Sequence, residues 1–432
     1  MKIHWRNSFL IFGAGFLIAF SAATAAESIA PKINYVRTAQ QATTTAQAPE
    51  KPVVTHVKTP DPVRGIYMSQ CVVGTESFRN SLVKFVEDTE LNAIVIDVKD
   101  FSGGIGFPTT DPMLAPFVSK DCGANDMKSF VASLHEKNIY VIARITVFQD
   151  PLYAKAHPEL AVQKAGGGVW HNYGGLAFID VNAKPFWEYI ARLSKVAYED
   201  YGFDELNYDY IRYPSDGPMK QAVYTLGTGK SKEESLEEFY RYLYEQLKPI
   251  RASSPGQEGL VMSADLFGYV TVHTDDLGIG QVLERAMPYF DYIDPMVYPS
   301  HYNSGFLGLK DVNSDPYGIV LASMKRSVAR VMATTTVNYA FGETPIASGS
   351  TASTTLSTSS SPQATSPRLY EKPSYPASKM RAWLQSFDYP VEYTPAMVAA
   401  QIRANEDSGL SSYLFWDAAN KYRSLRHVLA PQ

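Results

Sequence analysis

The sequence predicts a (β/α)₈ barrel, a TIM barrel with extended loops, over residues 61–428. Apolar segments of strand length alternate with segments of helical periodicity throughout this range. Several strands are near-continuous apolar runs, as in "LNAIVIDVKD" at 91–100, which is typical of parallel strands covered on both faces. The competing doubly wound sheet is disfavoured, because "QCVVGTESF" after the first strand is not a phosphate-binding glycine turn.

Eight strands and seven intervening helices follow from this alternation. The predicted strands are 64–69, 91–100, 139–148, 203–214, 260–269, 291–302, 381–389 and 411–420. The predicted helices are 77–90, 124–138, 185–202, 235–250, 279–290, 317–332 and 395–409. Eight βα units in one chain fit a closed barrel.

The N-terminus has the pattern of an export signal. Lys2 and Arg6 precede the short apolar run "FLIFGAGFLIAF", and small residues follow it near Ala25. We therefore expect residues 1–26 to be a signal peptide or an N-terminal anchor, and the protein to be extracellular, envelope-associated or periplasmic. An uncleaved segment would tether the chain to a membrane.

Two further segments lack the composition of a folded core. Residues 27–60 are rich in Ala, Thr, Gln and Pro, which predicts a disordered linker. Residues 346–367 are Ser/Thr/Ala/Pro low complexity between the sixth and seventh strands, which predicts a disordered insert in the barrel.

Composition and charge narrow the class of partner. The formal net charge is −5 and no Lys/Arg cluster occurs, so nucleic acid is not an expected partner. The chain has 28 Tyr, 21 Phe and 5 Trp. Tyr and Trp have an apolar face and a polar edge, which suits stacking on sugars, although most of these residues must be core. The two cysteines, Cys71 and Cys122, would form a disulfide after export or stay free thiols beside the barrel.

Polar side chains recur at the carboxyl ends of the predicted strands. In barrels of this class the active site lies at that end. A single Asp there is more often a helix cap, but polar groups at seven strand ends indicate a site. The candidates are Asp97, Lys99 and Asp100; Arg144, Gln149 and Asp150; Asn207, Asp209 and Arg212; Asp265; Asp294, Tyr298 and His301; Gln385; and Trp416 and Asp417.

Several carboxylates among aromatic residues favour glycoside cleavage, which needs one protonated and one ionised carboxyl group. A serine triad is disfavoured because no G-x-S-x-G motif occurs, and the histidines lack metal-binding spacing. We expect no metal and no cofactor.

At these motifs the sequence resembles a bacterial family of glycoside hydrolases, formerly a domain of unknown function, with an alpha-amylase-like barrel. The resemblance covers about residues 60–425, and the insert lies outside it. The matching stretches are "VRGIYMS", "TELNAIVIDVKDFSGGIGF", "YVIARITVFQDP", "GFDELNYDYIRYPSDG", "SADLFGY", "DYIDPMVYPSHY", "RAWLQSF" and "YLFWDAANKY".

The resemblance implies roles for three carboxylates. Asp209 matches the strand-four nucleophile of alpha-amylase-like and alpha-galactosidase-like barrels. Asp265 matches the strand-five acid, where Glu is common, and Asp294 on strand six is the alternative acid. Arg144 and Arg212 are candidates for keeping Asp209 charged, while burial would raise the pKa of Asp265.

The remaining candidates are expected to bind substrate: Asp97, Lys99, Arg144, Asn207, Arg212, Tyr298, His301, Gln385, Trp416 and Asp417. The sequence thus predicts an exported glycoside hydrolase acting on an extracellular or cell-wall polysaccharide, with no obligate protein partner. The alternative is a carbohydrate-binding barrel or wall scaffold without turnover.

Overall fold

Eight parallel strands close into a barrel, as the sequence predicts. The computed structural model describes residues 54–227, 229–252, 259–338, 344–346 and 368–429. The strands are β1 (Arg64–Met68), β2 (Ala93–Lys99), β3 (Tyr140–Thr146), β4 (Glu205–Asp209), β5 (Val261–Phe267), β6 (Tyr292–Met296), β7 (Ala382–Gln385) and β8 (Tyr413–Trp416). Each strand pairs with its neighbours in chain order, and β8 pairs with β1.

A helix follows each strand along the chain. The helices are α1 (Glu76–Glu87), α2 (Met127–Glu136), α3 (Lys184–Tyr201), α4 (Lys232–Ala252), α5 (Leu283–Ala286), α6 (Pro316–Met332), α7 (Pro395–Asp407) and α8 (Arg423–Val428). Helix α5 is a single turn, so the predicted helix 279–290 is wrong over most of its length. The others carry ordinary end signals: α3 has Pro185 in its first turn and ends at Gly202, whose φ is 81°.

Side chains on the strands separate into two apolar layers. Every residue of β2 and β3 is buried, which explains their continuous apolar runs. On β2, Ile94 and Ile96 belong to the large core between strands and helices. Val95, one position between them, belongs to a second cluster inside the barrel with Ile142 and Leu414.

The end of the predicted linker is part of the folded unit. The N–H of Val57 donates to Asp204 Oδ1 at 2.7 Å, and the His56 ring stacks on Tyr198 at 4.0 Å between centroids. The predicted range 27–60 therefore extends too far by residues 54–60. Residues 1–53, including the predicted export signal, lie outside the described residues.

The cysteines form a disulfide between the segments that follow β1 and β2. The Cα atoms of Cys71 and Cys122 lie 4.5 Å apart. Of the two outcomes that the sequence allowed, the structure has the bonded one.

The predicted insert departs from a small antiparallel sheet outside the barrel. Thr344–Pro345 pairs with Tyr370–Glu371, which pairs in turn with Thr335–Thr336. The chain therefore leaves and returns at one place, where the N–H of Ile346 donates to Leu369 O at 3.0 Å. Residues 347–367 lie outside the described residues, so the expectation of a disordered insert stays a prediction.

Candidate active site

A cavity of about 390 Å³ opens at the carboxyl end of the barrel. Seven of the predicted site residues line it: Arg144, Asp209, Arg212, Asp265, Tyr298, His301 and Trp416. These residues come from five strands or the loops that follow them, as expected for a barrel whose active site lies at the carboxyl ends of its strands.

Alternation along two neighbouring strands brings the candidate carboxylates together. On β4, Leu206 and Tyr208 belong to the large core between strands and helices. Because successive side chains of a strand point to opposite faces, Asp209 points to the barrel axis. On β5, Asp265 lies between Ala264 and Leu266 of that same core and also points inward. Because β4 and β5 are paired in parallel, the two carboxyl groups share one end of the barrel.

The guanidinium of Arg144 on β3 joins three carboxyl groups, and we call these four residues the upper cluster: Asp97, Arg144, Asp209 and Asp265. Arg144 Nη1 donates to Asp97 Oδ1 at 2.5 Å, and Nη2 donates to Asp209. Arg144 Nε lies 3.9 Å from Asp265 Oδ2, is buried, and has no hydrogen-bond partner. Although burial opposes its charge, Asp97 and Asp209 raise the pKa of Arg144 well above its usual value.

Asp265 is set up to hold a proton. Its Oδ1 accepts hydrogen bonds from Asn207 Nδ2 at 2.8 Å and Trp383 Nε1 at 2.7 Å. Its Oδ2 accepts none from the described residues, and Asp265 is only 1% exposed. Burial, together with the charges of Asp209 and Asp294, raises the pKa of Asp265 well above its usual value. The free oxygen, Oδ2, is therefore the atom on which the proton would lie.

Asp209 has the opposite surroundings. Its Oδ2 accepts from Arg144, and its Oδ1 accepts from the backbone N–H of Tyr210 at 2.5 Å. Both oxygens thus accept a hydrogen bond, one of them from a charged guanidinium. Tyr210 has a φ of 51°, a region that a bulky residue rarely adopts, and this turn ends β4 five residues before the predicted end of the strand at 214.

Asp294 does not line the cavity. It lies deeper, fully buried, in what we call the lower cluster: Glu205, Asp294 and Arg381. Arg381 Nε and Nη2 donate to the two oxygens of Asp294 at 3.0 and 2.6 Å, and Nη1 donates to Glu205 at 3.2 Å. Burial raises the pKa of Asp294 to about 6 despite the arginine. The structure thus separates the two candidate acids, and only Asp265 faces the cavity.

Two other predicted residues support the site from behind. Asp97 accepts a hydrogen bond from Tyr67 Oη at 2.5 Å and another from Arg144. Asp97 therefore holds the Arg144 guanidinium in place. Asn207 Nδ2 also approaches Asp294 Oδ2 at 3.3 Å, so this amide connects the upper and lower clusters. Neither side chain lines the cavity.

Three predicted substrate-binding residues lie elsewhere. Lys99 points away from the barrel interior and binds Asp150 at 2.9 Å, because a register shift follows Asp97 in β2. Gln385 Oε1 accepts hydrogen bonds from Ser300 Oγ at 2.8 Å and from the Ser300 N–H at 3.2 Å. These two hydrogen bonds fix the loop after β6. Asp417 accepts backbone N–H groups of the turn that follows β8.

Several aromatic residues of the cavity wall were not among the predicted site residues. They are Tyr210, Phe267, Tyr269, Tyr302 and Trp383. Trp383 lies two positions before Gln385 on β7, so strand alternation puts both on the inward face. The Trp416 ring stacks on Tyr67 at 3.9 Å between centroids and meets Trp383 edge to face at 5.8 Å.

Among the described residues there is neither a metal-binding cluster nor a membrane-spanning helix. No group of three or more His, Cys, Asp or Glu side chains among them is arranged to hold a metal ion. In the same part of the chain, no helix is long and apolar enough to cross a membrane.

Comparison with known families agrees with this geometry. Residues 65–341 and 338–422 match the family described as "Putative glycosyl hydrolase domain". The chain belongs to this glycosyl hydrolase family. Its function is therefore of the glycosidase type, on the barrel fold that the resemblance implied.

One solved structure supports the fold. The glycoside hydrolase domain of PgaB (BpsB) from Bordetella bronchiseptica has a TM-score of 0.53 and 13% identity, covering 85% of this chain and 99% of that one. A hypothetical protein from Ruminiclostridium thermocellum ATCC 27405 is 31% identical, with a TM-score of 0.40, and covers 50% of this chain and 98% of its own. No curated protein is significantly similar to the chain.

Proposed function

We propose that the protein is an exported glycoside hydrolase that cleaves O-glycosidic bonds of an extracellular or cell-wall polysaccharide by a two-carboxylate mechanism. The observation that carries this proposal is the contrast between Asp209 and Asp265 on adjacent strands. Asp209 receives a cation and a backbone N–H, whereas burial favours the protonated form of Asp265. Glycoside cleavage needs this pairing of one ionised and one protonated carboxyl group.

Each carboxyl group has a distinct task in this mechanism. Asp265 donates the proton on Oδ2 to the glycosidic oxygen as the bond to the anomeric carbon breaks. Asp209 faces the positive charge that develops at the anomeric carbon, either as the nucleophile or as the base for a water molecule. Arg144 positions Asp209 by a hydrogen bond, and Asp97 fixes the other side of the same guanidinium.

The cavity wall supports a sugar polymer as substrate. Trp416 and Phe267 are only partly buried and line the cavity, so they offer aromatic surface against which a sugar can pack. A second depression, lined by Ser300, His301, Phe387 and Tyr389, begins on the other side of His301. Tyr389 is 58% exposed there, so a chain of several sugars has aromatic surface beyond the cavity.

Export is supported by two independent features. The N-terminal sequence has the pattern of a signal, and Cys71 is bonded to Cys122, as is usual in oxidising compartments. Fractionation of cells that produce the full chain tests this directly: we expect it outside the cytoplasm, and a cytoplasmic pool with free thiols would contradict it.

Reducing-end release from a panel of polysaccharides tests the activity. The wild type should release sugar from at least one polymer, and Asp209→Asn should release none while still binding it. If neither protein releases sugar and both bind, the carbohydrate-binding barrel without turnover is the better account.

A further inference from the structure

Arg212 differs from the other two arginines near the barrel axis. Arg144 and Arg381 each bind two carboxylates directly. Arg212 is also buried, at 7% exposure, but no described carboxylate lies within ion-pair distance of its guanidinium. Its charge is therefore the one in this region that the protein does not neutralise by direct contact.

The loop after β4 holds the Arg212 guanidinium between two rings at the cavity wall. The ring centroids of Tyr210 and Phe267 lie 4.9 and 4.7 Å from Arg212 Cζ. Arg212 Nη1 donates to Tyr213 O and Ser215 Oγ, each at 3.1 Å. Nε and Nη2 donate to none of the described residues, so one edge of the fork stays available.

The carboxylates nearest to Arg212 act on its charge without contacting the guanidinium. Burial lowers the pKa of Arg212, and the charges of Asp209 and Asp216 oppose that effect from beyond ion-pair distance. Asp209 is already hydrogen-bonded to Arg144, and Asp265 is neutral while it holds its proton. Burial lowers the pKa of His301, which keeps that ring neutral. A buried guanidinium with no carboxylate in contact has unmet hydrogen-bonding capacity, so an anionic ligand that reaches its free edge is stabilised there.

We propose that Arg212 determines specificity by binding a carboxylate of the sugar, so that the substrate is an acidic polysaccharide containing hexuronic acid. A carboxylate matches the guanidinium fork and can accept two parallel hydrogen bonds from Nε and Nη2. The two aromatic rings against Arg212 keep the fork in place before the ligand arrives. This inference rests on the proposed glycosidase function, because it assigns the substrate of that same cavity.

Binding of matched sugars to the full chain tests the inference without requiring turnover. The probes are D-glucuronate and D-galacturonate against D-glucose and D-galactose, each titrated calorimetrically. The wild type should bind the uronates about tenfold or more tightly than the neutral sugars. Arg212→Gln should remove the preference, and Arg212→Lys should keep part of it, since the charge remains.

The matched control is Arg426→Gln. Arg426 also lies over a ring, 4.2 Å from the Phe85 centroid, but outside the cavity, and its substitution should leave the preference intact. Equal affinity for acidic and neutral sugars in the wild type, or a preserved preference in Arg212→Gln, would overturn the inference. Release of neutral sugars alone would leave the glycosidase function standing while sinking this substrate class. A preference for uronates without any sugar release would support Arg212 as a carboxylate-binding residue and contradict the glycosidase function.

Discussion

Two arginine-centred clusters occupy the inside of one barrel, and they differ in how completely they are satisfied. In the lower cluster the Arg381 guanidinium donates to both oxygens of Asp294 and both of Glu205. Tyr140 Oη and Ser263 Oγ also donate to Glu205, at 3.1 and 2.5 Å. None of the three charged residues is exposed at all.

The upper cluster has the same elements but leaves hydrogen-bonding capacity open. Arg144 Nε has no partner, and Asp265 Oδ2 receives no donor from the described residues. Asp209 and Asp265 line a cavity, whereas Glu205 and Asp294 do not. The lower cluster, whose hydrogen bonds are all made within the protein, stabilises the fold. The upper cluster keeps unpaired atoms that a ligand can bind, so similar carboxylates serve different purposes at two depths.

Apart from the Asp209 variant considered last, the largest expected effect is the loss of activity in a variant of Asp265, which tests the upper cluster. Asp265→Asn keeps the size of the side chain but removes the transferable proton, so we expect sugar release to fall about 10²- to 10⁴-fold on substrates with poor leaving groups. An aryl glycoside with an activated leaving group serves as the control, because it needs little protonation and should lose much less. Wild-type rates on the poor leaving group would remove Asp265 from the role of acid.

Breaking the lower cluster should reduce stability. Arg381→Met leaves Glu205 and Asp294 as uncompensated buried charges, which we expect to lower the free energy of unfolding by about 3–5 kcal/mol. Urea unfolding measures this. Arg192→Met is the control, since Arg192 pairs with Asp111 at the surface and should cost less than about 1 kcal/mol. Equal losses in the two variants would contradict a structural role for the lower cluster.

The pH profile sharpens the role of the upper cluster. Activity requires protonated Asp265, so kcat/KM should fall as pH rises through the raised pKa of this group. Asn207 donates to the carboxyl group and thereby favours its ionised form. Asn207→Leu should therefore move the alkaline limb to higher pH. A limb that stays in place or moves to lower pH would show that another group sets it.

The smallest expected effect concerns Tyr67 and Asp97, because neither side chain lines the cavity. Tyr67→Phe removes the hydroxyl that donates to Asp97, which should lower the free energy of unfolding by about 1–3 kcal/mol. Because Asp97 acts through Arg144, we expect kcat to fall less than in Asp265→Asn. Denaturant unfolding and reducing-end assays on the same preparation measure both. Loss of all activity in a stable variant would mean that Asp97 takes part directly.

Strand alternation made much of the site predictable. Asp209 and Asp265 are polar residues late in otherwise apolar strands, and parallel strands must present such residues at one end. Lys99 fits the same pattern, but its predicted position in the substrate-binding site was wrong. A register shift in β2 turns it out of the barrel toward Asp150, and the sequence carries no mark of that shift.

Depth inside the barrel was the property that sequence could not supply. Asp265 and Asp294 are direct register partners on adjacent strands, so the strand pattern did not distinguish them, and only the family resemblance favoured Asp265 as the acid. What separates them is Arg381, which lies 87 residues beyond Asp294 in the chain. Trp383 was overlooked for a related reason, because a tryptophan within a strand is usually core, and its hydrogen bond to Asp265 depends on closure of the barrel.

The most direct test of this division compares Asp209→Asn with Asp294→Asn in a reducing-end release assay on one substrate, alongside urea unfolding. We expect Asp209→Asn to lose activity by about 10⁴-fold or more with little change in unfolding free energy. Asp294→Asn should keep activity within about tenfold of the wild type but unfold at lower urea. Wild-type hydrolysis by Asp209→Asn, or an inactive Asp294→Asn as stable as the wild type, would contradict the account.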